Sequence, residues 1–393
     1  MGTRLLMYSQ DGLGLGHLRR AHNIAREVLA LEPQSSILIV ADSPATSFFS
    51  ALHGVDYLKL PTIVKRDAQR WSAETLHLKT EELVSLRASI IKETFWEFRP
   101  DAVLVDHMPL GALGELKSML DSAVGKRRRP FLFLGLRDVL GQPEVIRRAW
   151  HELGGYEYLS HYDAVLIYGC RELYDAESAY RLTPSAQGVR YCHYVAPEPE
   201  GERAPVPHQG DVPLILVMVG GGHDGFPLAR AFVDALPILL RTTDLQALIL
   251  TGPNIPAAQR EALVSRSVPY PVDVRCEDAT PWLQAASVVV TMAGYNSLCE
   301  VLKWRKRALV VPRPGPSAEQ RIRSQLFSQR RLVRVVDPAD LTAERLAEEL
   351  VRLLADDDMP QPANIPPLDG ARQATKLLLG RSAFAGTEVT AAS

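Results

Sequence analysis

The feature that most constrains the fold is a series of short, continuously apolar runs, each followed by an amphipathic stretch, that occurs twice along the chain. In the first half the runs are RLLMYSQ (4–10), SSILIVAD (35–42), VDYLKLP (55–61), DAVLVDH (101–107), RPFLFLGL (129–136) and DAVLIYG (163–169). Between them, His17–Leu31 carries Leu18, Ala21, Ile24, Ala25, Val28 and Leu29 at helical spacing, and Glu74–Phe98 and Glu144–Ser160 read as further amphipathic helices. A strand apolar on both faces belongs in a parallel sheet covered by helices on each side. The second half repeats the pattern with LILVMVG (214–220), LQALILTG (245–252), VDVRCED (272–278), SVVVTMA (287–293), RALVVPR (307–313) and LVRVVD (332–337).

Between the two series, Pro197–Pro213 reads PEPEGERAPVPHQGDVP, rich in proline and polar residues, as linkers are. The expected class is α/β, with two Rossmann-like doubly wound domains facing across a cleft. The expected boundaries are an N-terminal domain over 1–196, a linker over 197–213, a C-terminal domain over 214–380 and a frayed tail over 381–393. A chain of 393 residues is long enough for two such domains.

Open parallel sheets bind ligands beyond the carboxyl ends of their strands, so loops after strands are where chemistry is expected. Four stand out. Asp11-Gly-Leu-Gly-Leu-Gly-His17 joins a strand to a helix through Gly12, Gly14 and Gly16, with His17 at the helix start. Its spacing is GxGxG, and Arg19 stands where a dinucleotide fingerprint would want a third glycine, so a nicotinamide site is the weaker reading, although Asp42 ends the second strand. Gly220-Gly-Gly-His-Asp-Gly225 follows the first strand of the second series, and three successive glycines let backbone N–H groups approach a phosphate, with His223 and Asp224 at the rim. Thr291-Met-Ala-Gly-Tyr-Asn-Ser-Leu-Cys-Glu300 turns at Gly294 into a helix that Asn296 or Ser297 can cap, and Glu300 lies one turn further on the face of Asn296. Pro312-Arg-Pro-Gly-Pro-Ser-Ala-Glu-Gln-Arg321 is a proline-stiffened loop leading to Glu319 and Gln320.

Composition removes several function classes. The net charge of -2 offers no field for nucleic acid. Cys170, Cys192, Cys276 and Cys299 are far apart and form neither a CxxC pair nor a zinc-like cluster. The first residues, MGTRLLMYSQDG, lack the apolar centre of a signal peptide, and no apolar run reaches the ~18 residues of a spanning helix. A cytoplasmic protein is expected, touching a membrane from its surface at most.

The order of these motifs, a glycine turn with histidine, a linker, a Gly-Gly loop, AGYNSLCE and then PxxxxxxEQ, resembles the two-domain GT-B glycosyltransferases. The likeness is to the group that includes the peptidoglycan lipid-linked N-acetylglucosaminyltransferase. The resemblance implies a C-terminal domain that binds a nucleotide-sugar donor, by default a UDP-sugar. It implies that Gly221 and Gly222 approach the donor diphosphate, that Gly294, Asn296 and Ser297 line the same pocket, and that Glu300 holds the ribose hydroxyls. Gln320 would reach the donor sugar with Glu319 beside it, and Arg323 stands where such proteins often place an asparagine. Gly14, Gly16 and His17 would face the donor from the first domain.

The expected reaction is attack of an acceptor hydroxyl on the anomeric carbon, with a nucleoside diphosphate leaving and no metal or cofactor required. His17 is the leading base, and Asp106 and Asp138, each after a strand of the first domain, could orient it or bind the acceptor. The acceptor is a small molecule, a glycan or a lipid-linked sugar. The stretch GLGHLRR is also similar to the nucleotide-sugar hydrolases related to this group, in which His17 would activate water; a non-catalytic nucleotide-sugar binding protein is the remaining alternative. Arg19 and Arg20 could supply charge to an acidic acceptor or the diphosphate, though arginines on a first helical turn are more often solvated, and the basic runs Lys126–Arg129 and Arg305–Arg307 are expected to be exposed loops that could meet an acidic membrane surface.

Overall fold

The structure, a computed structural model, describes residues 2–11, 15–43, 52–65, 71–124, 129–182, 188–197, 212–222, 224–276, 279–356 and 359–380. Gly12, Gly14, His223, most of the linker, residues 126–128 of the first basic run and the tail after 380 lie outside the described residues. The chain forms two compact units, one comprising 1–12, 17–195 and 369 onward, the other 196–368 with 13–16.

In the first unit the elements run β1 (Arg4–Ser9), α1 (Gly16–Leu31), β2 (Ser36–Ala41), β3 (Val55–Lys59), β4 (Ile63–Lys65), β5 (Trp71–Ala73), α2 (Thr80–Phe98), β6 (Ala102–Asp106), α3 (Lys117–Val124), β7 (Phe131–Arg137), α4 (Pro143–Glu152), α5 (Gly155–Tyr158), β8 (Ala164–Tyr168), α6 (Ala176–Tyr180) and β9 (Val189–Tyr191). Among these residues a seven-stranded sheet has the order β3-β2-β1-β6-β7-β8-β9, every neighbour parallel. All residues of β6 and β8 are buried, as strands covered on both faces must be. Helix α1 buries Leu18, Ala21, Ile24, Ala25 and Val28, the stripe its spacing dictates.

A buried polar cluster sits inside this unit. Arg87 on α2 is fully buried and donates through Nη1 to Asp42 (3.2 Å) and the Pro61 carbonyl (2.7 Å), and through Nη2 to Glu115 (2.9 Å). Glu115 also accepts from the Tyr8 hydroxyl at 2.7 Å and the Leu113 N–H at 2.8 Å, and Asp42 from the Asp11 N–H at 3.0 Å. A charge taken this far from water persists only when paired and hydrogen-bonded, and each of these carboxylates is.

The second unit runs β10 (Leu214–Met218), α7 (Phe226–Leu239), β11 (Gln246–Leu250), α8 (Ala257–Ser267), β12 (Val272–Arg275), α9 (Thr280–Ala285), β13 (Val288–Thr291), α10 (Tyr295–Lys303), β14 (Arg307–Val310), α11 (Glu319–Gln329), β15 (Arg334–Val335) and α12 (Ala343–Leu354). Its described strands form one parallel sheet in the order β12-β11-β10-β13-β14-β15. Helix α13 (Gly370–Leu379), expected at the end of the second domain, instead belongs to the first unit, where the Gly370 N–H donates to the Tyr194 carbonyl at 2.9 Å. Among the described residues no helix is long and apolar enough to cross a membrane, and no group of three His, Cys, Asp or Glu is placed to hold a metal.

Candidate functional site

In the first sheet the strand order reverses between β1 and β6, the position at which doubly wound folds open their ligand crevice. The loop after β1 leads to His17, and Asp106 is the last residue of β6. They meet: His17 Nδ1 lies 2.9 Å from Asp106 Oδ2. Arg20, one turn further along α1, places Nη2 at 2.8 Å from Oδ1 and 2.6 Å from Oδ2 of the same carboxylate, and 2.8 Å from His17 Nδ1. Arg20 is buried, with its guanidinium carbon 5.3 Å from the ring centre of Tyr168. Burial pushes the Asp106 carboxyl up, but Arg20 and His17 beside it outweigh that and hold it below the usual carboxylate range. The carboxylate is therefore ionised at neutral pH, and in the tautomer that carries its hydrogen on Nδ1 the imidazole donates to Oδ2 and presents a lone pair at Nε2.

Asp11 completes the arrangement. Its carboxylate accepts the N–H of His17 at 2.9 Å and of Leu18 at 2.5 Å, the capping role that fixes where α1 begins and how His17 leaves it. Burial raises the Asp11 carboxyl above its ordinary range. The positive end of α1 is thus met by a carboxylate of the chain itself.

His107 follows Asp106 with φ 81°, a left-handed conformation uncommon outside glycine, and its ring centre lies 4.6 Å from that of His17. Its Nδ1 is buried and has no hydrogen-bond partner among the described residues. Burial first, then the positive charges of Arg137 and Arg20, hold this imidazole well below its ordinary range, so it is neutral. His107 is not singled out by sequence spacing, and Arg20, read there as a charge for an acidic acceptor or the diphosphate or as a solvated side chain, is buried on Asp106 instead. The only local signal is that Arg20 is three residues from His17, on one helix face. Asp138, also after a strand, is placed differently: it accepts from the Tyr194 hydroxyl at 3.0 Å and from the Val139 N–H at 2.7 Å, and is buried there.

In the second unit the order reverses between β10 and β13, and the loops after β10, β13 and β14 lie on adjacent strands. Gly222 (φ 91°) and Gly252 (φ 73°) let two backbones cross: a Cβ on Gly222 would stand 2.1 Å from the Thr251 carbonyl oxygen, and one on Gly252 2.1 Å from that of Gly220. Gly221 accepts from the Asn254 N–H at 2.9 Å. Gly220 differs, since a Cβ there would meet no described atom within 4 Å. Asp224 pairs with Arg313 at 3.0 Å, joining the glycine loop to the proline-stiffened one.

Helix α10 starts at Tyr295 on an extended Gly294 with no side-chain cap, so neither Asn296 nor Ser297 caps it. Its first N–H groups lack intrahelical acceptors. Asn296 Oδ1 is buried with no hydrogen-bond partner among the described residues, and Glu300 is buried one turn further on. Gln320 accepts the Arg313 N–H at 2.9 Å. Arg323, fully buried, donates to Glu319 at 2.8 Å and to the Ala293 carbonyl at 3.0 Å and lies 5.5 Å from the Tyr295 ring centre, tying α11 to the turn before α10.

Residues 215–376 match the profile of the glycosyltransferase family 28 C-terminal domain. A UDP-N-acetylglucosamine–N-acetylmuramyl-(pentapeptide) pyrophosphoryl-undecaprenol N-acetylglucosamine transferase of Sorangium cellulosum is 29% identical over 167 residues, covering 39% of this chain and 38% of that protein's length. The glycotransferase of kitacinnamycin superposes with a TM-score of 0.65 at 15% identity, covering 96% of this chain and 98% of the other. A putative UDP-N-acetylglucosamine 2-epimerase from Listeria monocytogenes superposes equally well, with a TM-score of 0.65 at 15% identity over 99% of this chain and 98% of the other, so the fold alone does not select the reaction. The chain is a GT-B-fold protein of two Rossmann-like domains, in which residues 215–376 match the glycosyltransferase family 28 C-terminal domain and part of the chain is similar to the Sorangium cellulosum N-acetylglucosamine transferase.

Proposed function

We propose that the protein is a glycosyltransferase that moves a sugar from a nucleoside-diphosphate donor, a UDP-sugar by default, to an acceptor hydroxyl. The observation that carries this reading is the His17–Asp106 pair at the order reversal of the first sheet, in a chain whose second unit matches a glycosyltransferase domain. His17 Nε2 takes the acceptor hydroxyl proton, the acceptor oxygen bonds to the anomeric carbon, and the bond from that carbon to the diphosphate breaks. Asp106 steadies the imidazolium that forms. Charge grows on the leaving diphosphate, where backbone N–H groups at Gly220–Gly222 and at the uncapped start of α10 supply compensation without a metal. Glu300 is assigned to the ribose hydroxyls, Asn296 and Ser297 to the diphosphate pocket, and Gln320 with Glu319 to the sugar. Asp138 stays a candidate for the acceptor side only through its neighbours, because its own oxygens are already engaged. A lipid-linked acceptor would require a peripheral membrane contact.

The test is thermal denaturation in the presence of UDP-, GDP-, dTDP- and ADP-sugars. A UDP-sugar at about a hundredfold excess over its dissociation constant should stabilise the fold by about 2.7 kcal/mol. Glu300→Ala should reduce that shift, and His17→Ala should keep it while lowering turnover by a factor of about 100 or more. No shift with any nucleotide sugar would overturn the reading. Free sugar released without an acceptor, at the full rate of turnover, would reassign the same machinery to hydrolysis.

A further inference from the structure

We propose that Arg20 is a positioning residue of the His17–Asp106 pair: it fixes the imidazole with its hydrogen on Nδ1 and, by compensating the carboxylate, opposes the addition of a second proton to the ring. The inference deepens the reading of His17 as base and rests on it.

The hydrogens available around the pair decide the tautomer. Arg20 Nη2 has two, and three atoms stand within 2.8 Å of it: Asp106 Oδ1, Asp106 Oδ2 and His17 Nδ1. A further contact, Nδ1 to Oδ2 at 2.9 Å, joins two atoms that would repel if both presented lone pairs. With Asp106 ionised, that contact requires the hydrogen on Nδ1, so both Nη2 hydrogens go to the carboxylate, the 2.8 Å approach of Nη2 to Nδ1 is a contact of two N–H groups and not a hydrogen bond, and Nε2 holds the free lone pair. An imidazole beside an uncompensated carboxylate is drawn toward the charged form. Here the carboxylate is shared with a guanidinium that cannot lose its proton, and whose Nη2 is 2.8 Å from the ring. Protonation at Nε2 would therefore put a second positive charge against the first.

The other groups around His17 do not reverse this sign. Asp11, at the head of α1, favours the charged ring, but its own carboxyl is raised by burial. His107 is neutral, and Arg137 beside it adds positive charge. Tyr168, under the Arg20 guanidinium, has its hydroxyl pushed up by burial and is neutral as well. Arg20 is thus the group positioned to bias both the tautomer and the charge of the base. It is buried, so its head cannot turn to water instead.

The experiment follows the His17 ring resonance by NMR against pH, assigned by its loss in His17→Gln, in the full-length protein and in Arg20→Met and Arg20→Lys. Arg20→Met should move the pH at which the ring protonates up by about one unit, and Arg20→Lys, which keeps the charge, should stay near the parent. The acid limb of the turnover profile should move the same way. An unmoved midpoint in Arg20→Met, or an equal shift in Arg20→Lys, would overturn the proposal. Should Arg20→Met fail to fold, Arg20→Gln, which retains a hydrogen-bonding head, reads the same quantity. The titration needs neither donor nor acceptor, so a missing nucleotide-sugar signal would end the transfer reading and leave this result standing.

Discussion

Asp11 caps the helix that begins with His17, accepting the His17 N–H at 2.9 Å, and it is itself held by its own N–H on Asp42 at 3.0 Å. Asp42 in turn is bound by Arg87, so the buried cluster of the first unit extends to the residue that aims His17. The glycine turn thus leads to an imidazole on a helix start already occupied by a carboxylate, while α10 in the second unit keeps its N-terminus without a side-chain cap.

Replacing Asp11 with Ala should therefore cost about 0.5–2 kcal/mol, the ordinary worth of an N-cap. It should also lower turnover more than donor affinity, because the orientation of His17 loosens while the second unit is untouched. Urea denaturation of the variant, together with the UDP-sugar thermal shift, separates the two effects. Loss of donor binding equal to the loss of turnover would show that the cap serves the donor instead.

The three-glycine loop invites one explanation for all its members, and the structure divides them. Gly222 is needed by the fold, since a Cβ would run into the Thr251 backbone at 2.1 Å. Gly220, at φ 62°, has open space where its Cβ would be. Gly220→Ala should cost about 1–2 kcal/mol for the left-handed backbone, and weaken donor binding if that space is where the diphosphate sits. Gly222→Ala should cost more, because the backbone must move as well. Denaturation midpoints for the two variants check the order; a Gly220→Ala protein with unchanged donor affinity would remove Gly220 from the pocket.

How far the chain could be read without coordinates depends on how local the cause was. The runs that became β6 and β8 were legible because burial on both faces leaves no polar alternation. The three-residue strands β4, β5 and β9 were not, because segments that short carry no periodicity. Asp106 and Asp138 were equivalent in sequence, each directly after an apolar strand. Strand order separates them: β6 lies next to β1, which feeds His17, and β7 lies one strand further away. The pairing of Arg20 is not legible for the same reason, since its partner Asp106 is 86 residues away. The return of α13 to the first unit is likewise a matter of long-range packing that no window of sequence displays.

His107 gives the first unit a pH dependence with a definite sign. In the unfolded chain its imidazole protonates near its free value of about 6.5. In the fold, burial and the charges of Arg137 and Arg20 hold it well below that. Between those two values the unfolded chain binds the extra proton and the folded one does not, so stability is complete above about pH 6.5 and falls as the pH drops toward the folded value. The loss from this one group should reach at most about 1.4 kcal/mol on going from about pH 7.5 to about pH 5.5. His107→Asn keeps a residue that tolerates the positive φ of 81° and removes the titrating ring. Its urea midpoint should therefore change less over that interval than the parent's. A variant whose stability falls as steeply as the parent's would mean that the acid sensitivity comes from elsewhere and that His107 takes up its proton in the folded state.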